Sequence, residues 1–307
     1  MQWIGRAPGL AAVLAIVVTA GCTAGSNATG DQPEIGTVQV VRSGSELALP
    51  LDAYRLSAQE YLSIQRVSWR LTRDCVSRFG GAYTLAESSV TDNAPPDVGA
   101  TRRYGLFDAR SAADYGYNLP PDTPGSESAS RRSSGKGGWN PSNAELILVR
   151  GAPSGGPVPQ DNHGKPLPAG GCSGEATRLV EAGVTAPTNS ELGDQLAVEA
   201  HQKSESDSRV RAAMDKWSAC MQKRGYSYRS IWEPNDKSWP EPAGNDEIAT
   251  AKADVECKLS TNLVGVWYAV EVARQKAAIE DRSTDLDAVR TYLRASVRRA
   301  AQLGGAG

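Results

Sequence analysis

The stretch that decides the fold is residues 245–277, NDEIATAKADVECKLSTNLVGVWYAVEVARQKA. Ile248, Ala251, Val255, Leu259, Leu263, Val266, Val270, Ala273 and Ala277 recur at three- and four-residue steps. That spacing lines one face of an α-helix and predicts a single continuous amphipathic helix with Asn245 as its N-cap. Upstream, Val210, Ala213, Trp217, Cys220 and Met221 form a second stripe, stopped by Gly225. A Thr188/Glu191 capping box opens this helical region, with a break expected near residues 204–208. Downstream, Ser283 or Thr284 caps a last helix through Leu286, Val289, Leu293 and Val297.

The first half is less regular. Ser57 and Glu60 form a capping box for a helix carrying Tyr61, Ile64, Ser68, Leu71, Cys75 and Phe79, which ends at Gly80-Gly81. Residues 37–41 (TVQVV) read as a short β-like run, and residues 145–149 (ELILV) are the best strand candidate. Residues 92–171 are otherwise expected to be loop, from Pro95-Pro96 through Pro120-Pro121 to two Gly-rich runs at 125–138 and 151–171. A short helix follows Cys172, through Leu179 and Val180. The fold class is therefore mainly α: amphipathic helices stapled by disulfides, joined by long Pro/Gly-rich loops, with at most a few short strands.

Residues 1–21 read as an export signal. Arg6 precedes an apolar run from Ala7 to Thr19 that is too short to span a bilayer. It closes on Thr19-Ala20-Gly21-Cys22, which resembles the lipobox of bacterial lipoproteins. The resemblance implies that Cys22 is diacylated, becomes the mature N-terminus and holds the protein at the extracytoplasmic face of the cell membrane. A conventional signal peptide, with Cys22 a bystander, is the alternative. Residues 22–48 then form a flexible tether, 49–185 a loop-rich region and 186–303 a helical one.

Five cysteines are an odd number, and setting Cys22 aside leaves an even set suited to an oxidising exterior. Cys75-x4-Gly80 and Cys220-x4-Gly225 repeat one design, each at the end of an amphipathic helix with a Trp just upstream (Trp69, Trp217). Four cysteines allow three pairings. The repeat and the short separations select Cys75–Cys172 and Cys220–Cys257. No Cys-x2-Cys spacing suggests a metal site or a catalytic thiol.

Charge is balanced, with 33 basic and 35 acidic residues, whereas a nucleic-acid binder normally carries a basic excess. No zinc-protease, nucleophile-elbow, phosphate-loop or EF-hand motif occurs, and no cofactor is implied. The two histidines, His163 and His201, read as exposed and solvated. Ser133-Ser-Gly-Lys136 matches a penicillin-binding signature, but in a low-complexity loop and without its partner motifs. The carboxylate pairs Asp246/Glu247 and Glu280/Asp281 suit helix ends. Arg131-Arg132 and Arg298-Arg299 read as solvated charge. Tyr226, Tyr228, Trp232 and Trp239 form an aromatic loop that either binds a sugar or partner or closes the core beneath it. Trp69, Trp217 and Trp267 read as core.

Three stretches together carry a wider resemblance: Arg103-Tyr-Gly-Leu-Phe-Asp108 running to Gly116-Tyr117, Trp217-x2-Cys-Met-x3-Gly-Tyr226, and residues 248–267 around Cys257. They resemble a group of actinobacterial envelope lipoproteins that occur beside efflux-type transporters or adaptors with peptidoglycan-binding modules. The resemblance implies a partner of that kind and supplies no catalytic residues. The resulting expectation is a non-enzymatic, lipid-anchored accessory or interaction module. The alternatives are a small-ligand or glycan binder using the aromatic loop, and a wall hydrolase using a histidine.

Overall fold

Helix α1 (Ala58–Arg78) begins as its capping box dictates: Ser57 Oγ accepts from Glu60 N at 3.2 Å, and Glu60 Oε2 accepts from Ser57 N at 2.9 Å. A computed structural model describes residues 32–92, 102–121, 123 and 139–305. Eleven α-helices occur among them. After α1 come α2 (Ser88–Asp92), α3 (Ala109–Tyr115), α4 (Asn143–Arg150), α5 (Gly171–Val180) and α6 (Leu192–Glu205). They are followed by α7 (Ser208–Lys223), α8 (Trp232–Asn235), α9 (Asn245–Thr261), α10 (Leu263–Asp281) and α11 (Ser283–Gly304). The signal segment, Cys22, the Pro95-Pro96 stretch and the 125–138 run with Ser133 and Lys136 lie outside the described residues. No helix of the described residues is long and apolar enough to cross a membrane.

The class expected from sequence is the one observed, mainly helical with two bridges. Cys75 pairs with Cys172 and Cys220 with Cys257. The first bridge joins α1 to α5, which pack along one another, and the second joins α7 to α9. Closing loops of 97 and 37 residues restricts the unfolded chain by up to ~5 and ~4 kcal/mol. Both Cys-x4-Gly units end their helices at a glycine of positive φ, 68° at Gly80 and 90° at Gly225.

Several local expectations change. Residues 145–149 are a helix, α4, because Ser142 caps it (Oγ accepts from Glu145 N at 3.1 Å) and the Glu145 carboxylate turns inward. There it takes hydrogen bonds from Thr84 N and Trp139 Nε1, at 2.7 and 3.1 Å. The long stripe at 245–277 is two helices. Asn262 adopts the left-handed conformation (φ 50°, ψ 35°), which asparagine tolerates better than most residues, and the chain turns there. Gly244, rather than Asn245, occupies the N-cap of α9. The start of α6 is organised by Asn189, which accepts from Glu191 N at 3.1 Å and donates to Gln195 Oε1 at 2.8 Å; Thr188 and Glu191 form no box. The expected break falls between α6 and α7, where buried Asp207 caps α7.

Residues 33–48 also depart from expectation. The segment read as tether packs on the core: Val41 is buried, Ile35 and Leu47 lie against the same cluster, and Arg209 Nη1 donates to Pro33 O at 3.0 Å. Its 37–41 run forms no strand. Residues from Pro33 onward form one compact unit. Within it α10 packs on α6 and α7, α9 on α3 and α7, and α1 on α11. The loop-rich and helical regions interlock.

The largest core cluster gathers Tyr104, Phe107, Trp217, Met221, Ile231, Leu263 and Trp267, at most 1 % exposed. A second, around the first bridge, holds Val76, Leu148, Val149 and Leu167.

Candidate functional site

The segment 102–118, expected to be loop, is the keystone of the C-terminal helices. Arg103 and Tyr104 reach Glu271 on α10, which has no exposed surface. Arg103 Nε donates to Glu271 Oε1 at 2.8 Å and its Nη2 to the same oxygen; Tyr104 Oη donates to Oε2 at 3.0 Å. Gln275 Nε2 donates to Oε1 at 2.8 Å, and His201 Nδ1 lies 3.0 Å from Oε2. Burial pushes this carboxyl up, but the His201 and Arg103 hydrogen bonds outweigh it, and Glu271 is held below the usual carboxylate range.

His201 is therefore not the solvated side chain expected. Its ring stacks on Trp267 (centroids 5.4 Å apart, planes 6° apart), and Trp267 Nε1 donates to Ser204 Oγ at 2.7 Å. His163 is exposed in the turn at 160–166, where its backbone N–H donates to Asp161 Oδ1 at 2.9 Å.

A second polar centre surrounds Asp254 of α9. Trp217 Nε1 donates to Oδ1 at 2.8 Å, and Tyr117 Oη and Lys258 Nζ donate to Oδ2 at 3.2 and 3.0 Å. Lys258 Nζ also donates to Leu106 O at 2.7 Å, while Leu106 N donates to Asn235 Oδ1 at 3.0 Å. Burial raises the Asp254 carboxyl above its ordinary value despite the attraction of Lys258, and lowers the Lys258 ammonium despite Asp254.

Two glycines let this segment approach so closely. Gly105 (φ 70°) would place a Cβ 2.9 Å from Asn235 Nδ2 and 3.1 Å from Lys258 Nζ. Gly116 (φ 60°) would place one 2.5 Å from Glu247 Oε1, which accepts from Tyr117 N at 2.8 Å. Glu247, read as a helix-end charge, is buried, whereas Asp246, Glu280 and Asp281 are exposed.

The three stretches singled out in the sequence thus meet: 103–117 supplies donors and glycines, Trp217 the indole, and 248–267 the carboxylate, the lysine and the stacked tryptophan. Each side chain named around Glu271 and Asp254 has a partner within the fold, whereas the buried Oε2 of neighbouring Glu247 has none among the described residues. The chemistry of the two centres is positional, locking the 102–118 segment onto α9 and α10. Among the described residues no group of three or more His, Cys, Asp or Glu gathers to hold a metal ion.

The aromatic loop lies beside these centres. Trp232 donates through Nε1 to Glu205 Oε1 at 2.6 Å and sets its edge against Trp267, with ring centroids 6.1 Å apart. Trp239 stacks on Tyr117 at 5.6 Å, carries the Lys237 ammonium 3.9 Å from its ring centroid and donates to Pro234 O at 2.8 Å. Both indoles are thus engaged within the fold. Tyr226 and Tyr228 stack on each other (6.4 Å, 8°) and remain half-buried at the margin of the core. Trp217 and Trp267 are fully buried, as expected, and Trp69 is half-buried.

No family model matches the chain, and no curated protein or solved structure is found to match it.

Proposed function

We propose that this protein is a lipid-anchored accessory module of the cell envelope, held by Cys22 at the extracytoplasmic face of the membrane and working through protein contacts rather than catalysis. The observation that carries the reading is the cysteine arithmetic. The four cysteines of the body pair with one another, so the one left over is Cys22, at the end of the leader and directly after Thr19-Ala20-Gly21. Ten residues, 23–32, separate it from the packed segment that begins at Pro33. At ~3.3–3.6 Å per residue such a tether keeps the body within a few nanometres of the bilayer. Two acyl chains suffice for stable attachment. An envelope transporter or adaptor is the kind of partner that the sequence resemblance implies.

The test is metabolic labelling with an alkyne fatty acid, followed by fractionation and in-cell cross-linking. The wild type should label, sediment with membranes and cross-link repeatedly to one envelope protein, and Cys22→Ser should lose label and sedimentation. A label that survives Cys22→Ser, or a wild type without label, would refute the anchor. Links only to itself would refute the accessory role.

A second reading keeps a specific observation in its favour. The Tyr226–Tyr228 pair, half-buried with ring planes parallel within 8°, offers a surface on which a sugar ring could stack. Loss of glycan affinity in Tyr226→Ala and Tyr228→Ala would support it.

A further inference from the structure

A cleft of about 450 Å³ runs along α1, where Arg66, Arg70 and Arg73 line one wall with Gln59 and Ser63, and Glu87 faces into the same space. The residues at 59, 63, 66, 70 and 73 follow three- and four-residue steps, so they form one stripe on the helix. The guanidinium-bearing part of that stripe spans ~10 Å at 1.5 Å per residue.

Like charges three and four residues apart repel and weaken a helix, so such a row calls for an explanation. Internal contacts account for only part of it. Arg70 Nη2 donates to Leu303 O at 2.8 Å, which caps the end of α11. Among the described residues Arg73 engages only its exposed neighbour Asp74, at 2.8 and 3.0 Å, and it lies 5.1 Å over the Trp69 ring. Arg66 is exposed and has no carboxylate partner among the described residues. Nor do the side chains of Gln59 and Ser63 make a hydrogen bond there.

A second basic cleft, with Lys216, Lys223 and Arg224, provides the contrast. Lys223 and Arg224 sit at the end of α7, beside the end of α9 at Ser260 and Thr261, and Arg224 is paired with Glu256, so helix dipoles and an ion pair account for both. Arg66 and Arg73 lie in the body of α1; the end of α11 also reaches this cleft at Gly304, but there Arg70 already caps it through Leu303 O.

We propose that the α1 cleft binds a phosphorylated polyol. A phosphate monoester carries nearly two negative charges and three acceptor oxygens, matching a row of guanidiniums better than a single carboxylate does. The amide of Gln59, hydroxyl of Ser63 and carboxylate of Glu87, which have no side-chain partner among the described residues, suit the hydroxyl groups of the same ligand. The cleft volume falls in the range of small-molecule sites. This assignment does not depend on the lipid anchor. A soluble sugar phosphate and a phosphoinositide headgroup, whose inositol ring carries a phosphate monoester, share the chemistry.

The experiment is calorimetric titration of the full chain with inositol 1-phosphate and with inorganic phosphate. A parallel arm measures co-sedimentation with vesicles of phosphatidylcholine, with or without phosphatidylinositol 4-phosphate. Saturable binding of inositol 1-phosphate or of the inositol-lipid vesicles is expected, tighter than for inorganic phosphate and weakened by salt. The vesicle arm decides between the two sources. The paired substitution Arg66→Gln/Arg73→Gln, at exposed positions that leave the fold intact by circular dichroism, should weaken it by about tenfold or more. Lys216→Gln/Lys223→Gln should leave it unchanged. Binding retained in the arginine variant, equal loss in the lysine variant, or no binding of any probe would overturn the proposal.

Discussion

Asp254 and Lys258 stand one helical turn apart on α9, with Oδ2 and Nζ 3.0 Å apart and both side chains sealed from water. The pair is held on every side, since Asp254 also receives Trp217 and Tyr117 and Lys258 donates to Leu106 O. Removing one partner strands the other. Lys258→Met should destabilise the fold by about 3–5 kcal/mol, because the carboxylate then lies buried without its cation. Adding Asp254→Asn, which keeps an acceptor for Trp217, should return part of that loss. Urea denaturation of the two variants measures it. A double variant less stable than Lys258→Met would show that Asp254 does not depend on its cation.

Glu271 sets the direction of a pH response. Its carboxyl is held below the ordinary value of 4.5 in the fold, so its contribution is present above that value and is lost as pH falls through the lowered one. Asp207 and Glu145 are also held below their ordinary values, the carboxylate hydrogen bonds outweighing burial, and act in the same direction. Asp254, raised by burial, acts oppositely and favours the fold on the acid side. Glu271→Gln should therefore flatten, without abolishing, the decline of stability below about pH 4.5. Denaturation midpoints measured from pH 3 to 7, roughly the carboxylate range, give the slope. An unchanged slope would remove Glu271 from the acid response.

How far this was legible in the sequence depends on whether a signal is local. The stripe at Val210, Ala213 and Trp217 and the box at Ser57/Glu60 are local, and both appear where their spacing places them. The repeated Cys-x4-Gly units located the bridges. Residues 145–149 looked like a strand because an apolar run so short does not reveal its period; what decides it is Ser142 and the inward carboxylate of Glu145. The break at Asn262 was hidden because the apolar steps pass through it unchanged. His201, Glu271 and Arg103 lie 70 and 168 residues from one another as bonded pairs, and no local rule joins them. One available signal was an acid, Glu271, set in the otherwise apolar run 263–273.

Gly116 tests the docking of the 102–118 segment. A methyl group there would sit 2.5 Å from Glu247 Oε1, at a φ of 60° that side chains rarely adopt. Backbone strain alone is worth ~1–3 kcal/mol, and the overlap with a buried carboxylate adds to it. Gly116→Ala should lower stability by about 3 kcal/mol or more and should expose the fluorescence of Trp239, which stacks on neighbouring Tyr117. A substitution that leaves both unchanged would mean that the segment can shift away at little cost.

Trp239 separates a structural role from a binding one. Its ring lies between Tyr117 and the Lys237 ammonium, and its N–H is taken by Pro234. Because Trp239 is only half-buried, Trp239→Ala should cost about 1–3 kcal/mol of stability, less than the ~3–5 of fully buried aromatic truncations. It should leave the affinity for any glycan unchanged once measured below the unfolding transition. Lost affinity with stability intact would return Trp239 to a binding surface.

The two bridges differ in how a reductant reaches them. Cys75 and Cys172 are 2 % and 0 % exposed, so neither sulfur is open to a thiolate without local unfolding. Cys257 is equally buried, but Cys220 is only partly so and lines the shallow cleft with Lys216 and Ser260. Thiol–disulfide exchange requires direct approach to one sulfur, and cations beside the cleft favour an attacking thiolate. Limiting dithiothreitol under native conditions should therefore open Cys220–Cys257 first. Alkylation followed by peptide mapping reads the order. Removing that bridge as Cys220→Ser/Cys257→Ser should destabilise the chain by up to ~4 kcal/mol, and removing Cys75–Cys172 by up to ~5. If Cys75 and Cys172 are labelled first, the α1–α5 pair opens more readily than its packing implies, and local unfolding rather than exposure governs reduction.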